Sequence, residues 1–172
     1  FLARFDEKAR AAIPHVLPLL NRDVTRPVAF YTLGHLRARE AFVPAMKIRP
    51  NERELVRLRA TQALGRIGDK RAIPKLISAL DDEIYDVRYA AEDALVAFGK
   101  SSVGPLRSAY AKASPRVRPH IIEALARLKD PRALTLAERE YRHDDALVRD
   151  AVMRSLQAAL AGAKSATPPP KQ

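Results

Sequence analysis

Arginines recur along this chain at nearly constant intervals, and a row of guanidinium groups can bind phosphates or carboxylates. The five members lie 31, 31, 30 and 31 residues apart: Arg26, Arg57, Arg88, Arg118 and Arg149. A guanidinium offers N–H donors in a planar fork that suits both anions. However, a residue that recurs with a repeat usually serves the contact between repeats. We therefore predict that this arginine ladder is structural.

Histidines and carboxylates are the other candidates for chemistry. Among the four histidines, only His143, with Asp144 and Asp145, resembles a metal cluster, and it falls in a predicted turn where acids cap the next helix. The carboxylate pairs also lie in predicted turns on an open surface, where nothing desolvates them into an acid and a base; they are Glu52, Glu54, Asp81 and Asp82. The chain has no Cys. We predict no enzyme activity, no metal and no cofactor.

Charge is distributed unevenly over the 172 residues. The chain carries 31 Lys plus Arg against 20 Asp plus Glu, a formal charge of +11, which favours an acidic protein surface or a polyanion as partner. The stretch 47–75 is basic, whereas 81–93 is mostly acidic. No apolar run approaches the roughly 20 residues that span a bilayer, so we predict a soluble module without membrane insertion, compatible with cytoplasm or periplasm.

The elements that position these residues follow from a second ladder, of leucines. Its members stand at steps of 31, 31, 31, 30 and 31: Leu2, Leu33, Leu64, Leu95, Leu125 and Leu156. Within one repeat, Val56–Leu80, apolar residues at helical spacing form two stripes separated by a break at Gly65 and Gly68. Pro74 near the start of the second stripe, with Asp69 before it, predicts a second helix. Each repeat therefore reads as a helical hairpin.

The hairpins VRLRATQALGRIGDKRAIPKLISAL and VRYAAEDALVAFG resemble HEAT-like repeats of the short, phycobilisome-lyase type. The resemblance implies an all-α, right-handed α-solenoid of about ten helices, with second helices lining a concave face. It also implies that each ladder arginine pairs with an Asp in the preceding turn. Asp82 has the matching place before Arg88, but Asn51 and Lys112 stand before Arg57 and Arg118.

We predict one repeat array over residues 1–162. It comprises a partial unit at 1–20, full units at 23–47, 53–80, 86–112 and 116–142, and a terminal helix at 146–160. A Pro-rich disordered tail follows at 163–172. Because the chain opens and closes partway through a repeat, we expect it to be a piece of a longer protein.

The function predicted is a non-catalytic scaffold that binds a protein partner, or another domain of the parent chain. Binding would use outward basic residues of the concave second helices against an acidic surface: Arg71, Lys75, Arg107, Arg132 and Arg139. Nucleic-acid binding through phosphate contacts along 47–75 is the alternative. A third hypothesis, implied by the resemblance, is an accessory subunit for chromophore attachment.

Overall fold

The computed structural model describes residues 9–142 and, beyond them, residues 146, 149, 150, 152, 153, 156 and 157. Nine α-helices lie between residues 13 and 141: α1 Ile13–Val16, α2 Arg26–His35, α3 Phe42–Met46, α4 Glu54–Ile67, α5 Ile73–Ala79, α6 Tyr85–Ala97, α7 Lys100–Tyr110, α8 Arg118–Arg127 and α9 Arg132–Tyr141. No strand occurs in this part of the chain. The predicted all-α fold is confirmed.

Some predictions fall on residues outside this description. They are the start of the partial unit at 1–20, the cluster His143 to Asp145, much of the terminal helix at 146–160, and the tail at 163–172.

The chain folds as two compact units, Phe1–Phe98 and Gly99–Gln172. In the first unit α2 packs against α4 and α4 against α6, so the first helices stack in sequence order. The short second helices α3 and α5 pack against α4 and α6 respectively. Each amphipathic helix thus covers the apolar stripe of its neighbour, which is how a repeat array acquires a continuous core.

The leucine ladder supplies the centre of that core. Leu33, Leu64 and Leu95 are fully buried on successive first helices, and Leu76 and Leu80 are fully buried on the second-helix side. Short 3₁₀ turns, Arg39–Ala41 and Lys70–Ala72, lead into α3 and α5 at matching places in the repeat. Asp69 caps the second of these turns by accepting a 3.0 Å hydrogen bond from the Arg71 N–H, as predicted.

Two glycines shape α4, and one of them differs from its predicted role. Gly68 ends the helix in a left-handed conformation, with φ of 77°, as expected of a C-terminal glycine. Gly65 lies inside α4 instead of ending it, and a Cβ there would stand 2.6 Å from the Ala94 Cβ of α6. Gly65 is therefore required by the close approach of two first helices.

The second unit contains α7, α8 and α9. Helix α8 packs against both α7 and α9 and contributes the buried Ile121, Ile122 and Leu125. Helix α7 starts five residues before Pro105, so this proline lies inside the helix. Pro74, in contrast, lies in the first turn of α5. The two prolines thus keep the repeat spacing while the helix boundaries shift.

Candidate functional site

Arg57, near the start of α4, makes four side-chain hydrogen bonds within the first unit. Its Nε and Nη2 donate to the two Asp82 carboxylate oxygens at 2.8 and 2.9 Å, and Nη2 also donates to Glu83 at 3.1 Å. Nη1 donates to the Glu52 carbonyl at 2.6 Å. The Arg57 and Asp82 side chains are only 8% and 10% exposed. The side chain therefore joins the turn before its own helix to the turn that leads into the next repeat.

Both charges of this pair are maintained in spite of burial. Burial by itself raises the pKa of the Asp82 carboxyl group, but hydrogen bonds from Arg57 and from the Ile84 N–H more than offset it, so the pKa lies below its ordinary value. The hydrogen bonds that Arg57 donates to Asp82 and Glu83 raise the pKa of Arg57, against the opposing effect of burial. The turn carboxylates were expected to stay in solvent. Asp82 is instead desolvated and ion-paired, which suits a structural role and not acid–base chemistry.

Three further ladder arginines repeat the main-chain part of this arrangement. Each donates to a carbonyl five or six residues earlier: Arg26 to Leu20 at 2.9 Å, Arg88 to Asp82 at 2.7 Å and Arg118 to Ala113 at 3.1 Å. Because those carbonyls close the preceding hairpin, the guanidinium groups satisfy backbone acceptors where hairpins join.

Acids 22 to 26 residues further along the chain complete the pattern. Arg26 pairs with Glu52 at 3.1 Å and Arg118 with Glu140 at 3.1 Å. Asp82 was predicted to pair with Arg88 of its own rung, but its carboxylate binds Arg57 of the rung before. Each of three arginines thus acts as a clamp: it bonds a carbonyl before its own helix and pairs with an acid further along the chain. They are Arg26, Arg57 and Arg118. Arg149 is half-buried.

The predicted partner-binding residues of the first unit, Arg71 and Lys75, differ in availability. The Arg71 side chain is 77% exposed, pairs with Asp69 and lies over the Phe42 ring at 4.8 Å. The hydrogen bonds from Arg71 lower the pKa of Asp69 to about 2. Lys75 is half-buried and its Nζ donates to the Ile48 carbonyl. Arg71 remains accessible to a partner, whereas Lys75 holds the chain that leaves α3.

The second unit divides its predicted residues in the same way. Arg107 pairs with the buried Asp130, whose other carboxylate oxygen accepts a 2.9 Å hydrogen bond from the Arg132 N–H at the start of α9. The side chains of Arg132 and Arg139 are exposed. Arg107 is therefore a structural residue of this unit, and the exposed cations of α9 are Arg132 and Arg139.

A buried polar network, which the sequence did not predict, lies between α7, α8 and α9. The Tyr110 hydroxyl donates to the Glu140 carboxylate at 2.5 Å, and Arg118 donates to the same oxygen. Burial and the hydrogen bond to Glu140 raise the pKa of Tyr110 to about 12. The repeat pattern assigns Tyr141 to the core, but Tyr141 is exposed and Glu140 is buried. The acceptor that Tyr110 and Arg118 require draws Glu140 inward.

Exposed aromatic side chains lie on the first helices of the first unit, whereas the sequence analysis placed its candidate binding residues on second helices. Tyr31 of α2 lies beneath the guanidinium groups of Arg59 and Arg66, at 4.8 and 5.7 Å from its ring centre. Tyr85 and Tyr89 of α6 are stacked at 6.2 Å and are 62% and 48% exposed. Tyr85 and Tyr89 are four residues apart and out of phase with the buried Val87 and Ala91, and this spacing could have predicted an exposed aromatic pair.

Consecutive helical hairpins whose first helices stack in sequence order define a helical repeat protein. Residues 13–96 match the family model of HEAT repeats, and this chain is a HEAT-like repeat protein. Such repeats generally mediate protein–protein interaction or scaffolding and are typically non-catalytic. No curated protein matches the chain. Among the helices that the structure describes, none is long and apolar enough to cross a membrane.

Proposed function

We propose that this chain is a non-catalytic interaction module that binds an acidic partner protein, or an acidic segment of its parent chain, through exposed cations of its second helices. The supporting observation is the division among the arginines. The ladder members Arg26, Arg57 and Arg118 are held by internal carboxylates, whereas Arg71, Arg132 and Arg139 remain exposed on or just before second helices. Exposed guanidinium groups bind carboxylates with directional, charge-assisted hydrogen bonds.

The surface of the first unit next to α5 supports an extended partner. A cavity of about 270 Å³ opens there, and its lining includes Arg49, Lys75 and Ser78 together with Asp81 and Asp82. Arg49 is exposed, and the Ser78 hydroxyl is bonded within its own helix to the Pro74 carbonyl. A peptide carboxylate at the Arg49 side of this cavity would meet an exposed cation, while the surface pair Arg71–Asp69 costs little to open.

Nucleic-acid binding through residues 47–75 has weaker support. Of the nine basic residues in that stretch, Arg57 and Lys75 are engaged within the protein and Arg71 is paired with Asp69. Lys47, Arg49, Arg53 and Lys70 are exposed. Binding of duplex DNA with a log–log salt slope of roughly −0.9 per phosphate contact, retained near physiological salt, would favour this alternative.

The test is a charge reversal on the second helices. The partner is isolated by cross-linked capture from the source cells, purified, and titrated calorimetrically against the chain and against the triple variant Arg71→Glu, Arg132→Glu, Arg139→Glu. Each exposed pair contributes at most about 1 kcal/mol and reversal adds repulsion, so we expect the Kd to rise about 10- to 100-fold. An unchanged Kd refutes the assignment of these three residues.

The matched control changes the same net charge elsewhere. Arg22, Arg53 and Lys129 are exposed in or next to inter-helix turns. The variant Arg22→Glu, Arg53→Glu, Lys129→Glu should bind the partner within about twofold of the wild type at 0.15 M salt, because these side chains make no contact with the partner in the proposed mode and salt weakens the remaining charge effect. An equal loss in both variants would indicate net charge alone.

A further inference from the structure

A second cavity of the first unit lies between two first helices, α4 and α6, and its volume is about 770 Å³. Its base contains Gly65 and Ala94, the two residues through which these helices make their close approach. The small side chains leave room above the contact, and the volume falls within the range of sites that hold a ligand or a few peptide residues.

The α6 wall of this cavity is aromatic and acidic. Tyr89, Asp86 and Asp93 line it, and Tyr85 stacks on Tyr89 just outside. A half-exposed tyrosine ring beside carboxylates attracts a lysine or arginine side chain, because the ring face and the acid both favour a cation. Asp86 is exposed in the first turn of α6.

The opposite wall is basic, with Arg66 from α4 and Arg37 from the turn after α2. Arg37 adopts a left-handed conformation, with φ of 49°, and its N–H donates to the Gly34 carbonyl at 3.0 Å. The Arg66 guanidinium lies 5.7 Å from the Tyr31 ring, and its Nη1 is closed off from solvent without a hydrogen-bond partner. Arg66 as a whole is half-buried on the cavity wall, where a guanidinium group can bind an incoming carboxylate through charge-assisted hydrogen bonds.

The two walls thus have opposite charge across one cavity, in a chain whose formal charge is +11. Packed helices lie roughly 8–10 Å apart, and an extended chain advances about 3.3 Å per residue. A ligand that meets both walls must therefore present opposite charges about two to four residues apart. A purely acidic segment would be repelled by Asp86 and Asp93, and a purely basic one by Arg37 and Arg66.

We propose that this cavity binds an extended peptide segment of a partner protein that carries a basic side chain for the Asp86 and Tyr89 wall and a carboxylate for the Arg37 and Arg66 wall. This surface is separate from the exposed cations of the second helices, and it selects a dipolar segment, whereas those cations select an acidic one. The module then has two docking surfaces with different charge preferences.

The test uses fluorescein-labelled decapeptides of Gly, Ser and Ala that contain one Arg and one Glu, in both orders, separated by zero to four alanines. Fluorescence anisotropy at 0.05 M salt is expected to show binding at one or two spacings. Binding should weaken about three- to fivefold when the peptide Arg or the peptide Glu is changed to Gln, as suits half-exposed ion pairs.

Variants of the protein assign each wall. Asp86→Asn should weaken binding of the Arg–Glu peptide and leave binding of its Arg→Gln form unchanged. Arg66→Gln should likewise weaken binding of the Arg–Glu peptide and leave binding of its Glu→Gln form unchanged. Arg71→Gln, on the other surface, is the matched control and should change neither.

Four outcomes overturn the proposal. In the first, no peptide in the set binds more tightly than its uncharged form. In the second, binding survives in the double variant Asp86→Asn, Arg66→Gln while circular dichroism shows that this variant is folded. In the third, an all-Glu or all-Arg peptide binds as well as the dipolar one. If instead Arg71→Gln removes binding, the peptide occupies the second-helix cations and the cavity is not its site.

Discussion

Replacing Arg57 by Met removes the buried guanidinium and keeps most of the aliphatic stem. The variant loses two hydrogen bonds to Asp82, one to Glu83 and one to the Glu52 carbonyl. Asp82 is then left as a buried carboxylate that retains the 2.9 Å hydrogen bond from the Ile84 N–H.

The expected loss of stability follows from this geometry. Removing one member of a buried ion pair costs roughly 3–5 kcal/mol. The remaining Ile84 donor and the exposure of Glu83 lower that cost, so we expect Arg57→Met to reduce the free energy of unfolding by about 2–3 kcal/mol at pH 7. Urea denaturation followed by circular dichroism at 222 nm measures it.

The pH dependence has a definite sign. The pKa of Asp82 is depressed in the folded protein relative to an unfolded value of about 3.9, so its contribution is present above that value and is lost as the pH falls through the folded pKa. Without Arg57, the hydrogen bond from the Ile84 N–H and the charge of Arg88 still oppose burial, but the pKa of Asp82 rises above its wild-type value. The difference in stability between wild type and variant should therefore be largest near pH 7 and shrink toward pH 3.

A double-mutant cycle separates the pair from general effects of substitution. Combining Arg57→Met with Asp82→Asn should reveal a coupling energy of at least about 1 kcal/mol. Arg53→Met is the matched control, since Arg53 is exposed and makes one long contact of 3.5 Å; its effect should stay within about 0.5 kcal/mol. A cost below about 0.5 kcal/mol for Arg57→Met, or no coupling to Asp82, would refute the clamp.

Two further predictions concern packing and the second unit. Gly65→Ala places a Cβ 2.6 Å from that of Ala94 and should destabilise the protein by about 1–3 kcal/mol in urea, with recovery of part of the loss in the double variant with Ala94→Gly; full tolerance would show that α4 and α6 move apart easily. Tyr110→Phe removes a buried donor to Glu140 and should cost about 1–2 kcal/mol. Because the folded pKa of Tyr110 is raised to about 12 from about 10, its contribution is present below pH 10 and is lost as the pH rises toward 12; a wild-type stability curve that matches that of Tyr110→Phe over this range would contradict the assignment.

Helix positions and core residues were readable from the sequence because they depend on local periodicity. Leu33, Leu64 and Leu95 lie at the predicted core positions, and the hairpins follow the predicted order. Apolar spacing of three and four residues defines one face of a helix, and repetition every 31 residues requires each face to meet a copy of itself.

The partners of the charged residues were less predictable. Arg57 reads as solvent-facing on a helical wheel and is buried, because the turn that carries Asp82 and Glu83 in the next repeat folds against it. Glu140 reads as polar surface and is buried between Tyr110 and Arg118. In each case the partner lies 22 to 30 residues away in sequence, beyond the reach of a local pattern.

The candidate sites depend on the same distinction. The sequence alone determined that this protein is an all-α array of HEAT-like hairpins, since 31-residue copying and helical period are properties of the linear chain. The packing of the folded chain sets which cations remain exposed, such as Arg71, and which are hydrogen-bonded within the protein, such as Lys75. It also decided that Tyr89 and Asp86 of α6 border one cavity with Arg66 of α4. Exposure and charge pairing are set by what packs against a side chain, and in a stacked repeat that neighbour belongs to the next copy.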